Sequence, residues 1–217
     1  MNPEDIQALF ERFESKDPSP STELNFSSPY TLLVAVALSA QATDVSVNKV
    51  TQRLFSLAQT PPEMLKLGLE RVTEEIRTIG LFRNKAKNVI ALSQILVAQY
   101  DGEVPLQRAA LESLPGVGRK TASVVLNELG VEPAVAVDTH VFRVAHRLGL
   151  AQGKTPDKVE SELMRVIPER WIRRSHHWLI LHGRYVCTAR KPKCGACNVR
   201  DLCPSAVVDP GKRPIRD

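Results

Sequence analysis

Residues 29–40, PYTLLVAVALSA, carry no charge and are apolar all round. A helix that is hydrophobic on every side belongs inside a protein, so this segment predicts a central, buried helix. Ser28-Pro29 opens it, and a capping residue followed by proline at the first helical position is a strong start signal. Asn2-Pro3 repeats that punctuation before a segment with Ile6, Leu9, Phe10 and Phe13 on one face. Further helices are expected through DVSVNKVTQRLFSLA, PPEMLKLG, LERVTEEIRTIG, LFRNKAKNVIALSQILVAQY, LQRAALESL, RKTASVVLNELG, THVFRVAHRLG, TPDKVESELMRVIP and RWIRRSHHWLILHGRYV. No clear period-2 run competes with them. The expected class is all-α, built from many short, steeply packed helices. Residues 18–29 read as a linker and residues 129–137 as a short connector.

The chain has 217 residues, enough for one domain or two modest lobes. It contains no uncharged apolar run of about 18 residues or more, and its start lacks the basic-then-apolar layout of a signal peptide. A soluble cytoplasmic protein without membrane contact is expected. The net charge of +5 is unevenly spread: residues 170–217 hold 11 Lys or Arg against 3 acids, whereas residues 1–169 hold 18 against 21. Such a concentration suits a polyanionic partner such as nucleic acid, and equally a solvated basic face.

All four cysteines fall within that basic end, as Cys187, Cys194, Cys197 and Cys203. Thiolates confined to so short a span can surround one compact metal centre. A cytoplasmic compartment disfavours disulfides. Between zinc and an iron-sulfur cluster the residues alone do not decide, because four-cysteine zinc sites usually pair two CX2C knuckles and only Cys194 and Cys197 form one here. The interval TARKPK would hold Arg190, Lys191 and Lys193 in a fixed loop, an arrangement suited to phosphate contact.

The stretch LPGVGRKTA, residues 114–122, joins a tight turn to a helix start. Gly116 and Gly118 free the turn from side-chain clashes, so successive N–H groups can point outward as an anion-binding nest. A nucleic-acid phosphate is a natural occupant, with Arg119 or Lys120 nearby. Lys120 is otherwise poorly placed, since the positive end of the helix dipole disfavours a cation. Asp138, ahead of a helical pattern, reads by default as an N-cap.

LPGVGRKTA resembles the helix-hairpin-helix motif of the endonuclease III family of DNA glycosylases. The likeness continues through LNFSSPYTLLVAVALSAQATDVSVNK, VDTHVFRVAHRLG, HHWLILHGRYVC and the four cysteines, and covers nearly the whole chain. It implies two helical lobes with duplex DNA in a cleft between them. One is a six-helix barrel, residues 23–132, with the helix-hairpin-helix at about 108–130. The other is a discontinuous lobe, residues 1–22 and 133–217, carrying one 4Fe-4S cluster on Cys187, Cys194, Cys197 and Cys203.

The resemblance further implies a monomeric bacterial base excision repair enzyme, cytoplasmic and associated with the nucleoid through DNA. It would excise oxidised or ring-damaged pyrimidines and cleave 3′ to abasic sites. Lys120 matches the lysine that forms the Schiff base, and Asp138 the essential carboxylate. An ordinary lysine amine, of pKa about 10.4, is almost wholly protonated at neutrality, so the nucleophile has to be prepared; a helix N-terminus contributes only about 0.3 to 1 kcal/mol, leaving the rest to desolvation by substrate. Extrusion of the nucleotide leaves a gap, and Gln41 and Leu81 match the residues that enter it. Ser39 and His140 are expected to line the lesion pocket.

Overall fold

The computed structural model describes residues 1–206. Among them run ten α-helices: α1 (Pro3–Lys16), α2 (Pro29–Ser39), α3 (Asp44–Leu57), α4 (Pro61–Glu75), α5 (Phe82–Gln99), α6 (Arg108–Glu112), α7 (Arg119–Glu128), α8 (Thr139–Leu148), α9 (Pro156–Val166) and α10 (Glu169–Tyr185). The described residues contain no strand, and the fold is all-α. Proline-led starts are capped as their sequence dictates. The Asn2 side chain accepts from Asp5 N at 2.7 Å, and Ser28 and Thr60 form capping boxes with Thr31 and Glu63. Each such cap contributes about 1 kcal/mol by satisfying N–H groups that the helix itself leaves open.

The chain divides into two compact units, Thr22–Glu132 and Met1–Ser21 with Pro133–Asp217. In the first, α2 is the core: every side chain from Tyr30 to Leu38 is buried, and α3, α5 and α7 pack against it. Leu24, inside the expected linker, is buried in the same core. Three helical expectations are corrected here. PPEMLKLG and LERVTEEIRTIG form one element kinked at Gly68, whose φ of +82° breaks the helical path. The second of these stops at Glu75 rather than Gly80, because Ile76 and Ile79 both turn into the core and tertiary packing outweighs weak local propensity. LQRAALESL shortens to α6, since Pro115 disfavours helical backbone at the residue before it.

In the second unit, α1 is joined to the C-terminal part of the chain by aromatic packing. The Phe10 ring stacks on Trp171 at 5.7 Å between centroids, and Phe13 lies 6.3 Å from Trp178. Both indoles keep a polar partner, with Trp171 Nε1 donating to Glu14 at 3.0 Å and Trp178 Nε1 to the Asp17 carbonyl at 2.8 Å. Each aromatic pair adds about 0.5–1.5 kcal/mol beyond area burial. Gly183 lets α10 approach α8 closely: a Cβ there would lie 2.9 Å from His140 Cβ.

Candidate active site and metal centre

The hairpin before α7 is drawn tight by backbone bonds, Leu114 N to Leu111 O and Val117 N to Leu114 O, both 3.0 Å. Gly116 sits at φ +79°, and a Cβ on it would meet Asn88 Nδ2 at 2.8 Å. It is required by conformation and by packing together. Gly118 is different, since its φ is −94° and an added Cβ would meet nothing within 4 Å. Nothing in the chain's own packing demands glycine there. A group arriving from outside, close to the backbone, would.

No side chain caps α7, for which Gly118 is the N-cap, and Lys120 is exposed as its second residue. Behind the hairpin Arg108 braces the motif. Its guanidinium bonds Glu132 Oε1 at 2.8 Å, Ser123 Oγ at 2.9 Å and Glu112 at 3.4 Å, linking α6, α7 and the end of the unit.

The two glycines should therefore separate in experiment. Gly116→Ala is expected to destabilise the protein by about 1–3 kcal/mol from backbone strain, a fall in Tm of roughly 2–12 °C. Gly118→Ala should leave Tm within a degree or two and weaken duplex binding. Thermal melts and a binding titration check both, and equal melting losses would contradict the assignment.

Of the non-glycine residues with positive φ, three in number among the described residues, Gln41 and Leu81 are two, at 55° and 59°. Both are exposed, Leu81 to 59%. The fold brings their loops together, for the Gln41 carbonyl lies 3.9 Å from where a Cβ on Gly80 would stand. Left-handed backbone at a branched, apolar, solvent-facing side chain is strained, and such strain clusters at functional positions. Ser39 closes α2 and donates its hydroxyl to the Val36 carbonyl at 2.8 Å.

Asp138 is the N-cap of α8. Its Oδ1 accepts from His140 N and Val141 N, both at 2.8 Å, while Oδ2 faces His140 Nδ1 at 3.0 Å. One oxygen thus holds the helix end, and the other faces the imidazole of His140, the second residue of α8. His140 therefore orients the second oxygen of Asp138.

Cys187, Cys194, Cys197 and Cys203 are all unbridged and partly buried, and all four line one cavity of about 120 Å³. Among the described residues no three His, Cys, Asp or Glu groups are gathered as a single metal ion needs. With Zn–S bonds of about 2.3 Å, a lone tetrahedral ion requires sulfurs in near contact. The four thiols line a single cavity and together offer one set of soft ligands to a metal centre. Burial pushes the Cys197 and Cys203 thiols up, and the neighbouring cysteines add to the rise. Four thiolates are thus unfavourable together without cationic metal among them. Arg190, Lys191 and Lys193 are exposed, and the loop that carries them is shaped by Thr188 Oγ1 donating to Lys191 O at 2.7 Å and Lys193 N to Val186 O at 2.9 Å.

Sequence reasoning missed the residues that hold this loop. Arg147 donates to Cys187 Sγ at 3.4 Å, to Thr188 O at 2.8 Å and to Ala189 O at 2.9 Å; Arg143 bonds Gly183 O at 2.8 Å and Cys187 O at 3.2 Å. Their four-residue spacing on α8, one face of a helix, was the available signal. His182 Nε2 lies 3.7 Å from Cys197 Sγ, and burial lowers its pKa to about 4, leaving a neutral ring.

With this geometry in place, the comparisons with known proteins converge. The family of HhH-GPD superfamily base excision DNA repair proteins matches residues 34–169, and the iron-sulfur binding domain of endonuclease III matches residues 187–203. Over 203 residues the chain is 56% identical to endonuclease III of Escherichia coli (strain K12), spanning 94% of this chain and 96% of that one. It is 54% identical to endonuclease III of Rickettsia conorii, spanning 94% and 97%. In three dimensions it is similar to a trapped endonuclease III–DNA covalent intermediate, an estranged-adenine complex, with a TM-score of 0.87 and 43% identity over 94% of this chain and 96% of that one.

Proposed function

Because this chain belongs to the endonuclease III family of base excision DNA repair glycosylases, we propose that it is a bifunctional enzyme, a DNA N-glycosylase and abasic-site lyase acting on oxidised or ring-damaged pyrimidines in duplex DNA. The observation that carries the reading is Lys120, exposed on the uncapped first turn of α7 beside the open backbone of Gly118. The Lys120 amine attacks C1′ of the extruded nucleotide, the C1′–N bond breaks, and the base departs with the bonding electrons. Loss of a proton from nitrogen and opening of the C1′–O4′ bond give the Schiff base. Removal of a C2′ proton then expels the 3′ phosphate by β-elimination, and hydrolysis of the imine frees the lysine.

Asp138 stabilises the positive charge that develops at C1′ as the base leaves. Gln41 and Leu81, with their exposed side chains, fill the space the nucleotide vacates, and Ser39 and His140 face the extruded base. The backbone donors at Gly116 and Gly118 hold one phosphate, while Arg190, Lys191 and Lys193 contact others. The relative's trapped covalent DNA intermediate supports this reading. The enzyme acts as a monomer in the bacterial cytoplasm, on the nucleoid; no described helix is long and apolar enough to cross a membrane.

Borohydride tests the chemistry. Incubated with a duplex carrying an abasic site or an oxidised pyrimidine and then reduced, the protein should become covalently attached to the DNA, and a preparation that binds the duplex yet never forms an adduct overturns the lyase reading.

Cys187, Cys194, Cys197 and Cys203 would hold a 4Fe-4S cluster, which when bound supplies a rigid support for the basic loop. Arg147 and Arg143 fix that loop from α8. Metal analysis of the purified protein should return about four iron and four acid-labile sulfide per chain. A colourless preparation holding zinc contradicts the assignment.

A further inference from the structure

Lys85 stands apart from every role given above. It lies in the first turns of α5, is only 6% exposed, and its Nζ has no hydrogen-bond partner. Burial holds its ammonium below the usual lysine range. An uncompensated ammonium is among the more expensive groups to bury, so this side chain has an unmet demand for an anion or acceptor.

Its surroundings indicate which. No side chain caps α5, whose N-cap is Leu81, and the N–H groups of a helix's first turn have no acceptor within the helix. Helical side chains as a class lean back toward the N-terminus, and Lys85, the fourth residue of α5, lies within one turn of that open end. Charge agrees: residues 76–100 contain Arg77, Arg83, Lys85 and Lys87 and no acid. Arg83 is exposed, its guanidinium over the Phe82 ring at 4.8 Å. The same helix also meets the glycine hairpin, where a Cβ on Gly116 would lie 2.8 Å from Asn88 Nδ2, one turn beyond Asn84.

We propose that the N-terminus of α5, with Lys85 as its cation, is a further phosphodiester-binding site, holding a DNA backbone phosphate next to the Leu81 loop. Open N–H groups orient the phosphate, Arg83 attracts it from solvent, and Lys85 swings its flexible stem out to meet it. The site is separate from the hairpin and from the cysteine loop. It places a fixed phosphate beside the strained residue that enters the duplex, so that backbone contact offsets distortion of the DNA. The proposal rests on the reading of this chain as a duplex-binding enzyme.

The test measures affinity for a duplex containing a tetrahydrofuran abasic analogue across a range of salt concentrations, using the full chain. Loss of one phosphate contact lowers the slope of log Kobs against log salt by about 0.9. Lys85→Met should show that change, with affinity about five- to tenfold weaker near 0.1 M salt and Tm unchanged or raised. Lys85→Arg should keep the wild-type slope. As a check independent of folding, a single neutral methylphosphonate near the analogue should weaken wild-type binding but add nothing to the loss in Lys85→Met. An unchanged slope in Lys85→Met, or additive losses with methylphosphonates at every flanking position, overturns the proposal alone. A wild-type protein that does not bind the duplex overturns the functional reading and this site with it.

Discussion

Lys120→Ala is expected to abolish borohydride-trapped adducts and strand cleavage at abasic sites, with turnover on damaged-base duplexes reduced by three orders of magnitude or more. Removing a covalent nucleophile deletes a step rather than weakening it. Alanine carries no amine, so neither the Schiff base nor the elimination that depends on it can occur. Folding should not suffer. Lys120 is exposed at the positive end of α7, where a cation is disfavoured by the dipole and alanine is the better helix former. Tm should be unchanged or slightly higher while activity disappears, the pattern of a residue kept for chemistry at some expense of stability. Single-turnover cleavage, trapping and a thermal melt on one preparation settle the matter. Trapping that persists undiminished in the variant removes Lys120 from the mechanism.

Asp138→Asn separates the observed capping role from the proposed catalytic one. As a cap, Asp138 gives Oδ1 to the N–H groups of His140 and Val141 at 2.8 Å, and asparagine caps about as well as aspartate. If capping were its whole purpose, the variant would be silent. In the proposed mechanism its carboxylate carries the charge that steadies C1′, which an amide cannot supply, and loss of such preorganised stabilisation costs about 2.7–4 kcal/mol, a factor of 10² to 10³. The expected result is a Tm within a degree or two of wild type and base excision at least a hundredfold slower. Activity within a fewfold of wild type would reduce Asp138 to a helix cap. His140→Ala provides a control, since it removes the imidazole that faces Oδ2 and leaves both backbone bonds to Oδ1 in place; a smaller loss than in Asp138→Asn is expected.

The sequence exposed those parts of the site that depend on neighbouring residues. Gly116 and Gly118 announce a tight turn, the RKTA that follows announces a helix, and Lys120 thereby falls in its first turn. Cys187 to Cys203 are close in sequence and so must be close in space. What stayed hidden depends on distant segments. Lys85 reads as one more surface cation in NKAKN, and only packing shows it buried. Arg147 reads as a helix-end arginine and lies 3.4 Å from Cys187 Sγ only because α8 packs against the segment that follows α10. Gln41 and Leu81 are ordinary residues in the chain, and their left-handed backbone comes from the loops in which they are held. Gly68 was visible as a helix breaker, yet its neighbours join through a kink because Met64 and Val72 on either side are buried in one core.

By itself the sequence determined the helical class, the proline-led helix starts, the buried status of α2 and the grouping of the cysteines, since periodicity, capping and short loops act between residues a few positions apart. Tertiary structure alone decided which glycine is held by packing and which faces open space, which cation is buried, and how the cysteine loop is gripped. Those features arise from contacts between residues tens of positions apart, whose meeting depends on how every intervening helix packs.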